Sequence, residues 1–168
     1  MLAKALCFMG QADQRHKSAL SPTTDEMKLV FPARPMAVRQ ALQASMTGLA
    51  RLNLTVDEQG IIEIVLAEVL NNVVEHAYAH HKKGVIELRV KRMSDSLNFT
   101  VLDDGVPFPK GNLPAHPSHT LAGPVEDLPE GGFGWSLIRD LTKDLHYVRS
   151  DVRNRLDFSI ALADTRIS

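Results

Sequence analysis

Along residues 27–33, MKLVFPA, apolar and polar positions alternate until Pro32 and Pro35 end the run, which predicts a short strand. Residues 35–54, PMAVRQALQASMTGLARLNL, place apolar side chains at helical spacing behind a proline at the first turn, where a missing N–H costs nothing. A second helical pattern runs from Asp57, a candidate cap, to about Tyr78. VIELRVKRM (85–93) and SLNFTVLD (96–103) alternate again and predict an antiparallel hairpin across a short polar connection. Periodicity then vanishes over 107–130, a stretch holding six of the nine prolines. A loop this long inside a compact domain is usually functional or disordered. GWSLIRDLTKDL (134–145) returns to helical spacing, and LHYVRS with RLDFSIAL predicts a last strand pair turning around Asp151–Asn154. The order β-α-α-β-β-loop-α-β-β predicts a two-layer α/β sandwich, with a mixed, mostly antiparallel sheet and its helices packed on one face.

Composition narrows this picture without changing it. The 168 residues, 44% hydrophobic and 23% charged, fit one globular domain over 26–168 behind a polar, poorly ordered lead-in over 1–25. A formal net charge of −1 gives no strong field toward nucleic acid or anionic membrane, so neither is expected as a partner. The single cysteine, Cys7, allows no internal disulfide and agrees with a reducing compartment. The opening residues make a poor signal peptide, and no apolar span reaches the roughly 18 residues of a membrane helix. A cytoplasmic location is the expectation.

The chemistry starts in the second helix, at AEVLNNVVEHAY (67–78). With about 100° per residue and Glu68 at zero, Asn72 falls near ~+40°, Glu75 near ~−20° and Asn71 near ~−60°. Ile62, Leu66, Val69, Val73 and Ala77 gather on the opposite side. The polar stripe thus holds two carboxylates and two carboxamides, with no Lys or Arg. A solvated helix face would account for it, but it also offers oxygen ligands suited to Mg²⁺ and one potential base. Farther along, the strand SLNFTVL ends at Asp103-Asp104-Gly105-Val106-Pro107, where a carboxylate and a closely approaching backbone can hold an exocyclic amine such as that of adenine. The alternative, a D-G hairpin turn, lacks a following strand. EGGFGWSLIRDL (130–141) then runs Gly131, Gly132 and Gly134 into a helix, whose N-terminal N–H groups and dipole suit a phosphate chain. It is neither a Walker loop nor a dinucleotide fingerprint.

In this order, E-x-x-x-N-x-x-x-H-A-Y, D-x-G-x-P-F-P and G-G-x-G resemble the GHKL ATPase superfamily, and within it the bacterial anti-sigma factor serine/threonine kinases (RsbW-like), over about residues 27–163. The resemblance implies a GHKL (Bergerat-type) ATP-binding fold with ATP and Mg²⁺ as cofactors. It implies Glu68 as general base, Asn72 as Mg²⁺ ligand and His76 with Tyr78 as the end of the first motif, His76 contributing to nucleotide binding. It implies Asp103 as the adenine-binding carboxylate with Gly105 as its close-approach partner, 107–130 as the ATP lid, and Gly131, Gly132 and Gly134 as the phosphate turn. Asn154 and Arg155 resemble the N-R-L opening of the final strand. The implied function is an anti-sigma factor that phosphorylates an antagonist protein, sequesters a sigma factor and tends to form homodimers. A non-catalytic nucleotide-binding or partner-sequestering module, or a detached histidine-kinase ATPase domain, remains the alternative.

Three features depart from the family pattern. The lid sets Lys110 against Glu126, Asp127 and Glu130; Trp135 and Ser136 follow the glycine turn where small or aliphatic residues are common; and Val73 follows Asn72. His76 and His80 stand at i,i+4 and could begin a zinc site, but no third ligand lies nearby in sequence, and His81, His116 and His119 carry no stronger signal.

Overall fold

A computed structural model describes residues 26–78, 83–113 and 133–163. Five strands, β1 (Glu26–Pro32), β2 (Val85–Arg92), β3 (Ser96–Asp103), β4 (Lys143–Ser150) and β5 (Arg153–Ala161), and three helices, α1 (Pro35–Leu49), α2 (Val56–Asn72) and α3 (Phe133–Leu141), come one after another in the expected order. The sheet runs β1-β2-β3-β5-β4, and each of its four pairings is antiparallel rather than mixed.

Strand parity explains why helices occupy a single face. Ile86, Leu88 and Val90 of β2, Phe99 and Val101 of β3, and Leu156, Phe158 and Ile160 of β5 point inward and are buried, with Phe99 stacked on Phe158 at 5.0 Å. The alternate residues are mostly charged or polar. Glu87, on that outer face, is gripped by Lys28 Nζ at 3.0 Å, Arg89 Nε at 2.6 Å and Arg153 Nη2 at 3.2 Å. The few apolar side chains on that face, such as Val30 and Val148, are scattered and partly exposed rather than gathered into a stripe for a second helical layer.

Against the inner face, α2 lays the stripe expected of it: Ile62, Leu66 and Val69 are fully buried and Val73 and Ala77 nearly so. At roughly 1.5–3 kcal/mol for each large aliphatic side chain, this stripe is a main source of adhesion between the layers. Its start differs from the expected Asp57 cap. The cap is Thr55, whose Oγ1 accepts from Glu58 N at 3.2 Å while Glu58 Oε2 accepts from Thr55 N at 2.7 Å, a reciprocal capping box. The signature T-V-D-E was present, and Asp57 serves the dipole in the first turn instead. Glu58 Oε1 also accepts from Ala163 N at 2.7 Å, tying the start of α2 to the end of the last strand.

Other boundaries shift for local reasons. α1 tightens into a 3₁₀ turn over Ala50–Leu52 and stops at Asn53, which takes a left-handed conformation. α3 ends at Leu141, and β4 begins at Lys143 through a bulge that places Asp144 at φ 54°. The β4–β5 turn is shorter than expected, because Asp151 adopts φ 53° and closes it with Val152. A 3₁₀ turn, Pro109–Gly111, opens the proline-rich stretch; 114–130 lies outside the described residues.

The capping box makes a pH-dependent contribution. Partial burial pushes the Glu58 carboxyl up, but hydrogen bonds from the Thr55 and Ala163 N–H groups and the Thr55 hydroxyl outweigh it and hold the carboxyl below its ordinary value. Its stabilisation is therefore present above the unfolded-state value and is lost as pH falls through the folded one. Thr55→Ala is expected to cost about 1 kcal/mol in urea unfolding at pH 7. The deficit of Glu58→Gln relative to wild type should shrink as the pH is lowered below the ordinary carboxylate range; a deficit independent of pH would contradict the ionised capping box.

Candidate functional site

The site grows from the C-terminal end of α2. Glu68 and Asn72 are half-buried one turn apart, and Asn72 Nδ2 donates back to the Glu68 carbonyl at 2.6 Å. That bond engages Nδ2 and leaves Asn72 Oδ1 without a hydrogen-bond partner among the described residues. Immediately afterwards the helix widens into a π turn, Val73–Ala77, a feature often found at functional sites. The wider turn changes the angular phase of the residues it contains. Glu75 and His76 are exposed on it, as is Asn71 before it, whereas Glu68 and Asn72 are half-buried.

The same π turn docks the D-x-G segment. Three successive N–H groups after Asp103 find three different acceptors: Asp104 N donates to Tyr78 Oη at 3.1 Å, Gly105 N to Asp103 Oδ1 at 2.8 Å, and Val106 N to the Ala77 carbonyl at 2.9 Å. A Cβ at position 105 would lie 2.6 Å from both the Cβ and the carbonyl oxygen of Ala77, so glycine is required here by proximity. Tyr78 in turn packs over Gly84, where a Cβ would fall 2.6 Å from its hydroxyl. The Ala and Tyr of the H-A-Y ending thus clamp the second motif, while its His faces outward.

Asp103 lies inside this clamp, only 6% exposed. Its Oδ1 accepts from Gly105 N and from Asn154 Nδ2, each at 2.8 Å, whereas Oδ2 has no hydrogen-bond partner among the described residues. Burial pushes its pKa above the ordinary carboxylate value; the bonds from Asn154 and Gly105 and the charge of Arg149 offset part of that rise. Asn154, directly across the β3–β5 ladder, is the hub. Its Oδ1 accepts from Tyr147 Oη at 2.7 Å and Arg149 Nη1 at 2.6 Å, and Arg149 Nη1 also donates to the Gly105 carbonyl at 3.0 Å. Tyr147 Oη further accepts from Phe108 N at 3.3 Å. Arg155, the other half of the N-R-L pair, turns to the outer face and pairs with Asp157.

The third element closes the arrangement. A Cβ at Gly134, in the first turn of α3, would collide with the Glu68 carboxylate and stand 3.7 Å from Asn72 Nδ2. Glu68 therefore reaches the helix start that was expected to receive phosphate. Gly131 and Gly132 lie outside the described residues, as do His80, His81, His116 and His119 and the acidic lid residues Glu126, Asp127 and Glu130.

A family model described as the histidine kinase-like ATPase domain matches residues 31–160. The serine-protein kinase RsbW of Bacillus subtilis (strain 168) is 30% identical over 144 residues, covering 82% of this chain and 84% of its own. That of Bacillus cereus (strain Q1) is 31% identical over 128 residues, covering 75% and 78%. This chain belongs to the histidine kinase-like ATPase family, in its RsbW-like branch. A solved structure of the RsbU and RsbW domains of Rv1364c from Mycobacterium tuberculosis shares the fold, with a TM-score of 0.53 at 14% identity over 86% of this chain. The chain spans 35% of that longer one.

Within this ATPase domain the first and third motifs meet through Glu68, Asn72 and Gly134, and the first and second through Ala77, Tyr78 and Gly105. Sequence reasoning missed Tyr147 and Arg149 and gave Asn154 no role beyond a motif. The available signal was parity: Asn154 shares its inward face with Leu156, Phe158 and Ile160, where a polar side chain needs a partner. Among the described residues no cluster of three or more His, Cys, Asp or Glu side chains could hold a metal ion. A cation at Asn72 Oδ1 would take its other ligands from phosphate oxygens and water, the way Mg²⁺ is commonly held in nucleotide sites, so the residues present fit that ion. No helix among the described residues is long and apolar enough to cross a membrane.

The two described glycines of the site should respond differently to an added methyl group. Gly105→Ala is expected to cost about 1–3 kcal/mol in urea unfolding, because the methyl meets the Ala77 carbonyl. Gly134→Ala meets only the far end of a flexible side chain, so it should displace Glu68 with a smaller loss of stability. Equal stability losses would show that the Glu68 contact is rigid.

Proposed function

We propose that this protein is an ATP-dependent protein serine/threonine kinase of the anti-sigma type, cytoplasmic, which phosphorylates an antagonist protein and sequesters a sigma factor. The observation that carries this reading is the meeting of Glu68, Asn72 and the first turn of α3 at one end of a site whose other end presents Asp103 with one uncommitted oxygen. The relatives named serine-protein kinases support it.

Each residue has a task in this reading. Asp103 Oδ2 accepts the N–H of the adenine amine, and the Asn154 network stops the carboxylate from rotating away. The start of α3, including Gly131, Gly132 and Gly134, receives the phosphates. Asn72 Oδ1 is the protein atom that would hold Mg²⁺, which would supply charge neutralisation at the phosphates. Glu68 takes the proton of the attacking serine or threonine hydroxyl as the terminal phosphoryl group passes to that oxygen, with ADP leaving. His76, exposed on the π turn, contributes to nucleotide binding in this reading. The sigma factor, the antagonist and homodimer formation belong to the same reading.

Nucleotide with Mg²⁺ should raise the melting temperature by ligand linkage, and Asp103→Asn should remove most of the shift, since an amide can turn a donor toward the adenine amine. Millimolar ADP or ATP producing no shift in the wild type would favour a non-catalytic module. Asn72→Ala should weaken Mg²⁺-nucleotide binding. Glu68→Gln should leave that binding nearly intact while lowering phosphate transfer to the antagonist by roughly 10²–10⁴-fold. Wild-type transfer by Glu68→Gln would remove the base assignment.

A further inference from the structure

We propose that Trp135 is a nucleotide-binding residue, its indole N–H kept for a phosphate oxygen of the ligand and its ring fixing the first turn of α3 against the base-binding end. The inference rests on the nucleotide reading proposed for this site and adds a donor to it.

Trp135 is 4% exposed, and its Nε1 has no hydrogen-bond partner among the described residues; neither has Oγ of the adjacent Ser136, 7% exposed. A buried donor left unpaired destabilises the fold. A Leu or Phe would bury apolar surface there without that cost. Two such donors sit side by side in the first turn of a nine-residue helix, next to Gly134, which abuts Glu68 and Asn72. Helical side chains lean toward the N-terminus of their helix, here the end where the dipole favours an anion.

The ring has a second job. Trp135 meets Phe108 edge-on at 5.2 Å, and Phe108 meets Tyr147 edge-on at 4.8 Å. The Phe108 N–H and the Tyr147 hydroxyl then continue through Asn154 to Asp103. A continuous line of packed rings and hydrogen bonds therefore joins the phosphate end to the base end. Both orphaned donors are shut off from solvent, so pairing them requires a local adjustment at the start of α3. Trp135, the single tryptophan of the chain, will report it.

The test compares wild type, Trp135→Phe, and protein carrying 3-benzothienylalanine at position 135, which keeps the indole shape and replaces N–H by sulfur. Binding of Mg-ADP is measured by calorimetry, and the melting temperature is measured without nucleotide. Wild type should bind with a shift in tryptophan emission. The sulfur analogue should bind roughly 10- to 100-fold more weakly, the scale of one hydrogen bond to a charged acceptor. Its melting temperature should be unchanged or higher, since an unpaired buried donor has been removed. Trp135→Phe should lose affinity similarly. Affinity equal to wild type in the sulfur analogue overturns the inference while leaving the nucleotide reading intact. Absence of Mg-ADP binding by the wild type overturns both.

Discussion

A carboxylate buried on the inner face of a sheet must be given partners, and much of this domain's polar architecture is organised around doing so for Asp103. Desolvation alone would favour the neutral acid. The protein keeps the group useful as an acceptor by placing Asn154 directly across the ladder and folding the Gly105 amide back onto the same oxygen. Asn154 then needs satisfaction of its own, which brings in Tyr147 and Arg149 from the edge strand. Arg149 reaches the Gly105 carbonyl, and the loop of bonds closes on itself. Such a network rigidifies when every member is paired, and the one acceptor left over, Oδ2, is the one available to a ligand.

The three glycines at the motif contacts serve approach rather than unusual backbone conformation. Gly84 lies under the Tyr78 ring, Gly105 against Ala77, and Gly134 against Glu68. Each marks a place where two elements come closer than a methyl group permits. The π turn belongs to the same logic. By widening the end of α2 it presents the Ala77 carbonyl and the Tyr78 hydroxyl to two amides of the D-x-G segment, groups that would otherwise be left without partners at the end of a helix.

These contacts explain why some features were legible in the chain and others were not. Element order, the apolar stripe of α2 and the hairpin β2–β3 arise from periodicity, because burial on one face imposes it. The meeting of Glu68, Asn72 and Gly134 was legible as motif order, though the physical reason for Gly134 was not, since it depends on a contact between α2 and α3. The π turn left no mark in a 3.6-residue pattern. Tyr147 and Arg149 were hidden for another reason. On an edge strand, alternating polar and apolar residues look alike whether the inward polar group is functional or incidental, and only the partner across the ladder decides.

The two ends of the site are built on different terms. At the base end the acceptor is held by bonds that are already made, so recognition there requires little ordering when a ligand arrives. At the other end, the Glu68 carboxylate lies against the start of α3, and donors in that turn have no partner among the described residues. A carboxylate beside a helix N-terminus is favourable on its own, yet a phosphate group is drawn to the same place by the same dipole. In the proposed reading an arriving phosphate would compete with the Glu68 carboxylate for that helix start. Under that reading, binding energy gained at the end whose bonds are already made would offset the cost of moving Glu68 at the other.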